Sequence, residues 1–138
     1  MPRHPARALL VATLLAGLTA CGGGSDGAQQ VDGPVASGIE PGATLTGTLG
    51  GPDEPDAFEI GLTDAAGATV TSLPAGAYTI VVNDGSRIHN WVLSGDGVDA
   101  ATDVVGTGEE TFEVTLSAGE YTYVCDPHPS MKGAITVT

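Results

Sequence analysis

Short runs in which apolar and polar residues alternate, each closed by a cluster of Gly, Pro, Asn or Asp, fill the second half of this 138-residue chain. Alternation with period 2 suits a half-buried strand, and frequent turn residues keep such strands short. From Ala57 onward, Phe58, Ile60 and Leu62 share one face, and Asp64-Ala65-Ala66-Gly67 turns the chain into a short strand around Val70. Tyr78-Thr79-Ile80-Val81-Val82 is apolar on both faces and reads as a central strand. A strand from Ile88 to Leu93 follows the Asn83-Asp84-Gly85 turn. Phe112, Val114 and Leu116 then alternate with Thr111, Glu113 and Thr115; Tyr121, Tyr123 and Cys125 share a face, and Ala134 to Val137 closes the chain. No segment has a helical period, and Val98 to Val105 is the most ambiguous stretch. The pattern predicts an all-β fold, a Greek-key sandwich or barrel of seven to eight strands.

A weak internal echo fits that topology. Leu73-Pro74-Ala75-Gly76-Ala77-Tyr78-Thr79 matches Leu116-Ser117-Ala118-Gly119-Glu120-Tyr121-Thr122, each a glycine turn entering a strand with an aromatic two residues on. Both resemble the tyrosine corner of Greek-key sandwiches, in which the phenol hydroxyl ties the turn to the strand.

The N-terminal part reads differently. Arg3 and Arg7 precede an uncharged apolar run from Ala8 to Ala20, the pattern of a secretory signal, and the run is short for a transmembrane helix. It ends Leu18-Thr19-Ala20-Cys21, which resembles the bacterial lipobox, with Cys21 lipidated as the new N-terminus; Gly22 carries no retention signal for an inner membrane. Ordinary signal cleavage, with Cys21 a bystander, is the alternative. Residues 21–55 are rich in Gly, Ala, Ser, Thr, Pro and Asp and read as a flexible tether, about 30–35 Å in r.m.s. span by random-coil scaling. Within it, Thr44 to Leu49 alternates weakly, a strand pattern that its glycines undercut. The expected organisation is therefore a signal over 1–20, a tether over 21–55 and a β-domain over 56–138. The product would be exported and lipid-anchored at the outer face of the cell membrane or in the periplasm.

Removal of the signal changes the inventory. Arg87 and Lys132 remain against all 17 acids, a net charge of −15, and the histidines left are His89 and His128. Binding a phosphate backbone needs a basic footprint, so nucleic acid is excluded as a partner. With Cys21 acylated, Cys125 is a lone thiol in an exported protein, which calls for a reactive or metal-binding role.

Cys125-Asp126-Pro127-His128-Pro129-Ser130-Met131 places a thiolate, an imidazole and a thioether within seven residues. Soft sulfur selects Cu(I), imidazole suits both copper states, and two histidines with a cysteine and a weak axial methionine make a blue-copper site. The second histidine has to be His89, which on a strand would share a face with Trp91 and Leu93. Singly, each of these residues is more often core filler. Together they form one complete ligand set with no histidine to spare. Asp126 is expected in solvent and outside the set, and zinc is disfavoured because structural zinc sites use Cys, His and carboxylate ligands.

Ile88-His89-Asn90 and Cys125-x-x-His128-x-x-Met131 resemble the plastocyanin/azurin family of cupredoxins, with ligand-loop spacing most similar to amicyanin, over about residues 56–138. The resemblance implies a Greek-key barrel carrying one copper ion, Cu(I)/Cu(II), that transfers single electrons. It places His89, Cys125 and His128 in the equatorial plane, Met131 in the axial position and His128 near the surface as the electron port. Asn90 matches the asparagine that ties the two ligand segments together. Pro127 and Pro129 stiffen the loop around His128. Because Pro127 has no N–H to give the sulfur, the backbone N–H of Asn90 becomes the expected donor to the thiolate. At about 80 residues the domain is lean for the family.

Enzyme function is not expected. Copper oxidases and nitrite reductases need further histidines, and a hydrolase needs a nucleophile–base pair free of the metal. The competing readings are an exported copper carrier without a shuttle role and a metal-free β-sandwich used for adhesion. The acidic charge points to a cationic redox partner, of which a basic c-type cytochrome is the simplest.

Overall fold

The structure, a computed structural model, describes residues 34–138. The expected signal over 1–20 and Cys21 lie outside the described residues. Nine strands and no helix are found among the described residues. They are β1 (Thr44–Leu49), β2 (Ile60–Thr63), β3 (Ser72–Leu73), β4 (Gly76–Asp84), β5 (Val92–Gly95), β6 (Val98–Ala101), β7 (Gly108–Leu116), β8 (Gly119–Cys125) and β9 (His128–Val137). One sheet has the order β2-β1-β4-β7 and the other β3-β9-β8-β5-β6. The β1–β4 and β3–β9 pairs are parallel and the rest antiparallel. Two such sheets packed face to face are the expected Greek-key sandwich, with nine strands in place of seven to eight.

Alternation decides what each strand contributes to the space between the sheets. On β4, Tyr78, Ile80, Val82 and Asp84 are buried while Thr79 and Val81 are half-buried, so this strand has one core face and is not apolar on both. On β8 the inward residues are Tyr121, Tyr123 and Cys125, and on β9 they are Met131, Gly133, Ile135 and Val137. Trp91 fills the middle with no exposed surface, stacks on Tyr123 (ring centroids 5.9 Å apart) and donates its indole N–H to the Gly61 carbonyl at 3.0 Å.

Both tyrosine corners are present. The Tyr78 hydroxyl donates to the Pro74 carbonyl at 2.8 Å. The Tyr121 hydroxyl donates to the Ser117 carbonyl at 3.2 Å and accepts the Ser117 N–H at 3.0 Å.

The expected tether ends earlier than Pro55. Thr44–Leu49 is β1, lying inside its sheet between β2 and β4, with Leu45 fully buried. Ala36 and Ile39 also pack on the core, and Val35 bridges Thr69. The glycine that weakened the strand pattern is there for packing: a Cβ on Gly47 would meet Val82 Cγ2 at 2.8 Å and the Trp91 ring at 3.0 Å.

Other boundaries shift too. Phe58 precedes β2 and is 51% exposed, so it does not share the inward face of Ile60 and Leu62. Val70 is buried but lies just before β3, and the ambiguous stretch from Val98 resolves into β6 and a turn. Residues 88–91 are not a strand; pairing starts at Val92. Ile88 is 43% exposed, whereas His89 through Leu93 are all buried in succession, which strand alternation cannot produce.

Candidate metal centre

Three of the four expected ligands come from the β8–β9 hairpin. Cys125 ends β8, Asp126 and Pro127 form the turn, and His128 opens β9 opposite Cys125. The neighbouring pair is Val124 with Lys132, so Pro129, Ser130 and Met131 are extra residues on β9 within one step of β8. A bulge of this kind breaks strict alternation. It lets His128 turn toward Cys125 while Met131 stays with the inward residues Gly133, Ile135 and Val137. Pro129 suits a break in the ladder because it has no N–H to contribute.

His89 comes from the irregular stretch between β4 and β5, and side chains hold it there. The Asp84 carboxylate accepts the Ser86 N–H through Oδ1 at 2.8 Å. Ser86 Oγ donates to Asp56 Oδ1 at 2.7 Å and accepts the Ile88 N–H at 3.1 Å. Downstream, the Trp91 N–H donates to Thr102 Oγ1 at 2.9 Å and the Thr102 N–H to the Trp91 carbonyl at 3.0 Å. Asn90 joins the two ligand segments: its Nδ2 donates to Asp126 Oδ2 at 3.0 Å, and its Oδ1 accepts the Asp126 N–H at 2.8 Å. Asp126 is exposed and lies outside the ligand cluster, but it is one half of this clasp. The Asn90 amide also reaches the Thr102 carbonyl, Nδ2 to O at 3.5 Å, so its side chain meets both flanking segments.

The ligand atoms converge. His89 Nδ1 and His128 Nδ1 are 3.0 Å apart, and Cys125 Sγ lies 3.7 Å from the first and 3.6 Å from the second. The point equidistant from these three atoms is about 2.0 Å from each, close to the length of a metal–imidazole bond. His89 and Cys125 have no exposed surface, Met131 is 1% exposed, and His128 is partly exposed. A buried thiolate, two imidazoles and a thioether suit copper, and among the described residues no carboxylate joins the cluster to favour a harder metal.

Phe58 had no place in the site by sequence pattern, yet its ring packs edge-on against both imidazoles, 4.7 Å from His128 and 5.5 Å from His89. Ser86, Asp56 and Thr102 were also missed. Only Ser86 carried a local signal, since Asp-x-Ser after a strand is the sequence of an Asx turn. Asp84 is 6% exposed. Burial raises its pKa above the ordinary carboxylate value, against the Ser86 N–H bond and the charge of His89, which lower it.

A two-sheet Greek-key sandwich with a His-Cys-His-Met cluster at one end defines a cupredoxin. The chain belongs to the plastocyanin/azurin family of copper-binding proteins, whose family model matches residues 67–138. Copper is therefore its cofactor, and His89, Cys125, His128 and Met131 are positioned as a type 1 copper site. Among solved structures the fold is similar to reduced rusticyanin, at 19% identity and a TM-score of 0.58, covering 82% of this chain and 89% of that one. Rusticyanin from Thiobacillus ferrooxidans matches at 17% identity and a TM-score of 0.55, covering 79% and 85%. The Met148Gln mutant of rusticyanin matches at 16% identity and a TM-score of 0.58, covering 79% and 86%. No curated protein matches the chain.

Proposed function

We propose that this protein is an exported one-electron carrier and not an enzyme. The observation that supports this best is the contrast in exposure within the cluster: three candidate ligands are buried and His128 alone reaches the surface. Copper, when bound, supplies the Cu(I)/Cu(II) couple. Cys125, His128 and Met131 are fixed by the hairpin and its bulge, and His89 by the polar contacts around it, so the donor atoms resist rearrangement when the charge changes. His128, flanked by Phe58, Pro127 and Pro129, offers a small apolar contact at which a partner approaches closely. A carrier that hands its metal on has to expose its ligands, and burial of His89, Cys125 and Met131 favours retention instead.

The test is the visible spectrum of the copper-loaded protein. Intense blue absorption from thiolate-to-Cu(II) charge transfer is expected, and it should vanish in Cys125→Ser. A blue spectrum surviving that substitution overturns the ligand assignment.

The partner we propose is a basic c-type cytochrome, attracted by the net charge of −15 that remains after signal removal. Such attraction acts on association and is screened over about 8–10 Å at ordinary ionic strength. The rate of electron exchange with a basic cytochrome should fall steeply as salt rises, while an acidic partner should gain. A flat profile with both refutes steering. Anchoring through lipidated Cys21 belongs to the same proposal, and mass spectrometry of the membrane fraction tests it.

A further inference from the structure

His89 has two ring nitrogens, and the metal cluster uses one. With Nδ1 turned toward Cys125 and His128, the neutral imidazole carries its proton on Nε2. That Nε2 is buried and meets no hydrogen-bond partner. A buried donor left unmatched is costly, so an acceptor is called for.

Asp84 is the complementary case. It follows Tyr78, Ile80 and Val82 on the inward face of β4, at the end of the strand that leads into the His89 segment. Its Oδ1 takes the Ser86 N–H, while its Oδ2 is buried and has no partner. Asp84 and His89 bound the same short segment after β4, and each keeps one buried polar atom without a partner. A cavity of about 190 Å³ lined by Asp84, Thr102 and Asp103 adjoins the carboxylate and is roomy enough to hold water beside it.

We propose that Asp84 Oδ2 is the acceptor for the Nε2–H of His89 through one bridging water, and that this link sets the tautomer and basicity of a copper ligand. Asp84 is then a positioning residue for the site. The inference rests on the copper reading above. Metal-bound histidines commonly give their second N–H to a carboxylate, a carbonyl or water, and a carboxylate raises the basicity of the ring. A more basic His89 favours Cu(II) over Cu(I), so Asp84 would hold the reduction potential down.

The experiment uses the copper-loaded protein. Asp84→Asn should keep the blue absorption and shift the Cu(I)-over-Cu(II) preference about tenfold toward Cu(I), which for one electron is a rise of about 59 mV. Tyr78→Phe alters the same strand without touching the carboxylate, and should shift that preference less than twofold. In the diamagnetic Cu(I) protein, the Nε2 proton of His89 should give a slowly exchanging NMR signal that moves in Asp84→Asn. An unchanged potential in Asp84→Asn overturns the proposal. So does a parent-protein Nε2 proton that exchanges freely or is bonded to a backbone carbonyl, which remains decisive even where the variant fails to fold. A parent protein that binds no copper overturns the copper reading as well, so the two failures are distinguishable.

Discussion

Cys125, His128 and Met131 stand on a hairpin laddered from Gly119 and Val137 to Val124 and Lys132 and paired again at Cys125 and His128, whereas His89 stands on a stretch with no strand pairing at all. The hairpin fixes its ligands through sequence proximity and a bulge. The His89 segment depends on side chains from distant positions: Asp56 through Ser86, Asp126 through Asn90, and Thr102 through Trp91. A neutral hydrogen bond contributes about 0.5–1.5 kcal/mol net and one to a carboxylate about 1.5–3 kcal/mol, so the second arrangement is assembled from several modest terms. The contrast teaches that the two halves of one metal site can differ in what holds them, and so in what breaks them.

The largest effect should come from cutting the clasp between the halves. Asn90→Ala removes both bonds to Asp126 from a residue only 3% exposed. A loss of about 1–3 kcal/mol is expected in denaturant unfolding, together with copper affinity about 10–100-fold weaker. Loss of stability with unchanged affinity would show that the hairpin alone organises the site.

Ser86→Ala should act on the His89 side only. It deletes the bonds to Asp56 and to the Ile88 N–H, at a cost of about 1–2 kcal/mol. A double-mutant cycle with Asp56→Ala should return a coupling of at least about 0.5 kcal/mol. Additive effects would mean that the Asp56 contact does not support the segment.

The smallest effects should come from the tyrosine corners, whose hydroxyls are tied only to their own turns at Pro74 and Ser117. Tyr78→Phe and Tyr121→Phe should each cost about 1 kcal/mol and leave the copper spectrum unchanged. Burial, followed by the Glu40 carboxylate, raises the pKa of the Tyr78 phenol above 10.0. Stability from this shift is fully present below the unfolded value and is lost as pH rises through the higher folded value. Tyr78→Phe should therefore lose that part of the alkaline decline, which unfolding curves measured on both sides of the transition will show.

Much of this was legible in the chain itself. The ligand run from Cys125 to Met131 is readable because its chemistry lies within one turn, and His89 because, apart from His128, it is the one histidine beyond the expected signal. Period-2 alternation exposed β7, β8 and the end of β9, and two matching glycine–tyrosine runs exposed both corners. These features depend on neighbours along the chain, and local stereochemistry carries them.

Only the tertiary structure decided the rest, because it concerns partners far apart in sequence. Gly47 looks like a strand breaker until Trp91 and Val82 are seen filling the place of its missing side chain, and then β1 belongs inside the sheet. Phe58 reads as a core residue by spacing, yet it sits beside the histidines because the chain before β2 passes the metal end of the sandwich. His89 is buried without belonging to a strand, since polar side chains from positions 56, 84, 102 and 126 meet around its segment. Alternation reports which face a residue takes on its own strand. Which distant group meets it there depends on how the two sheets close over one another.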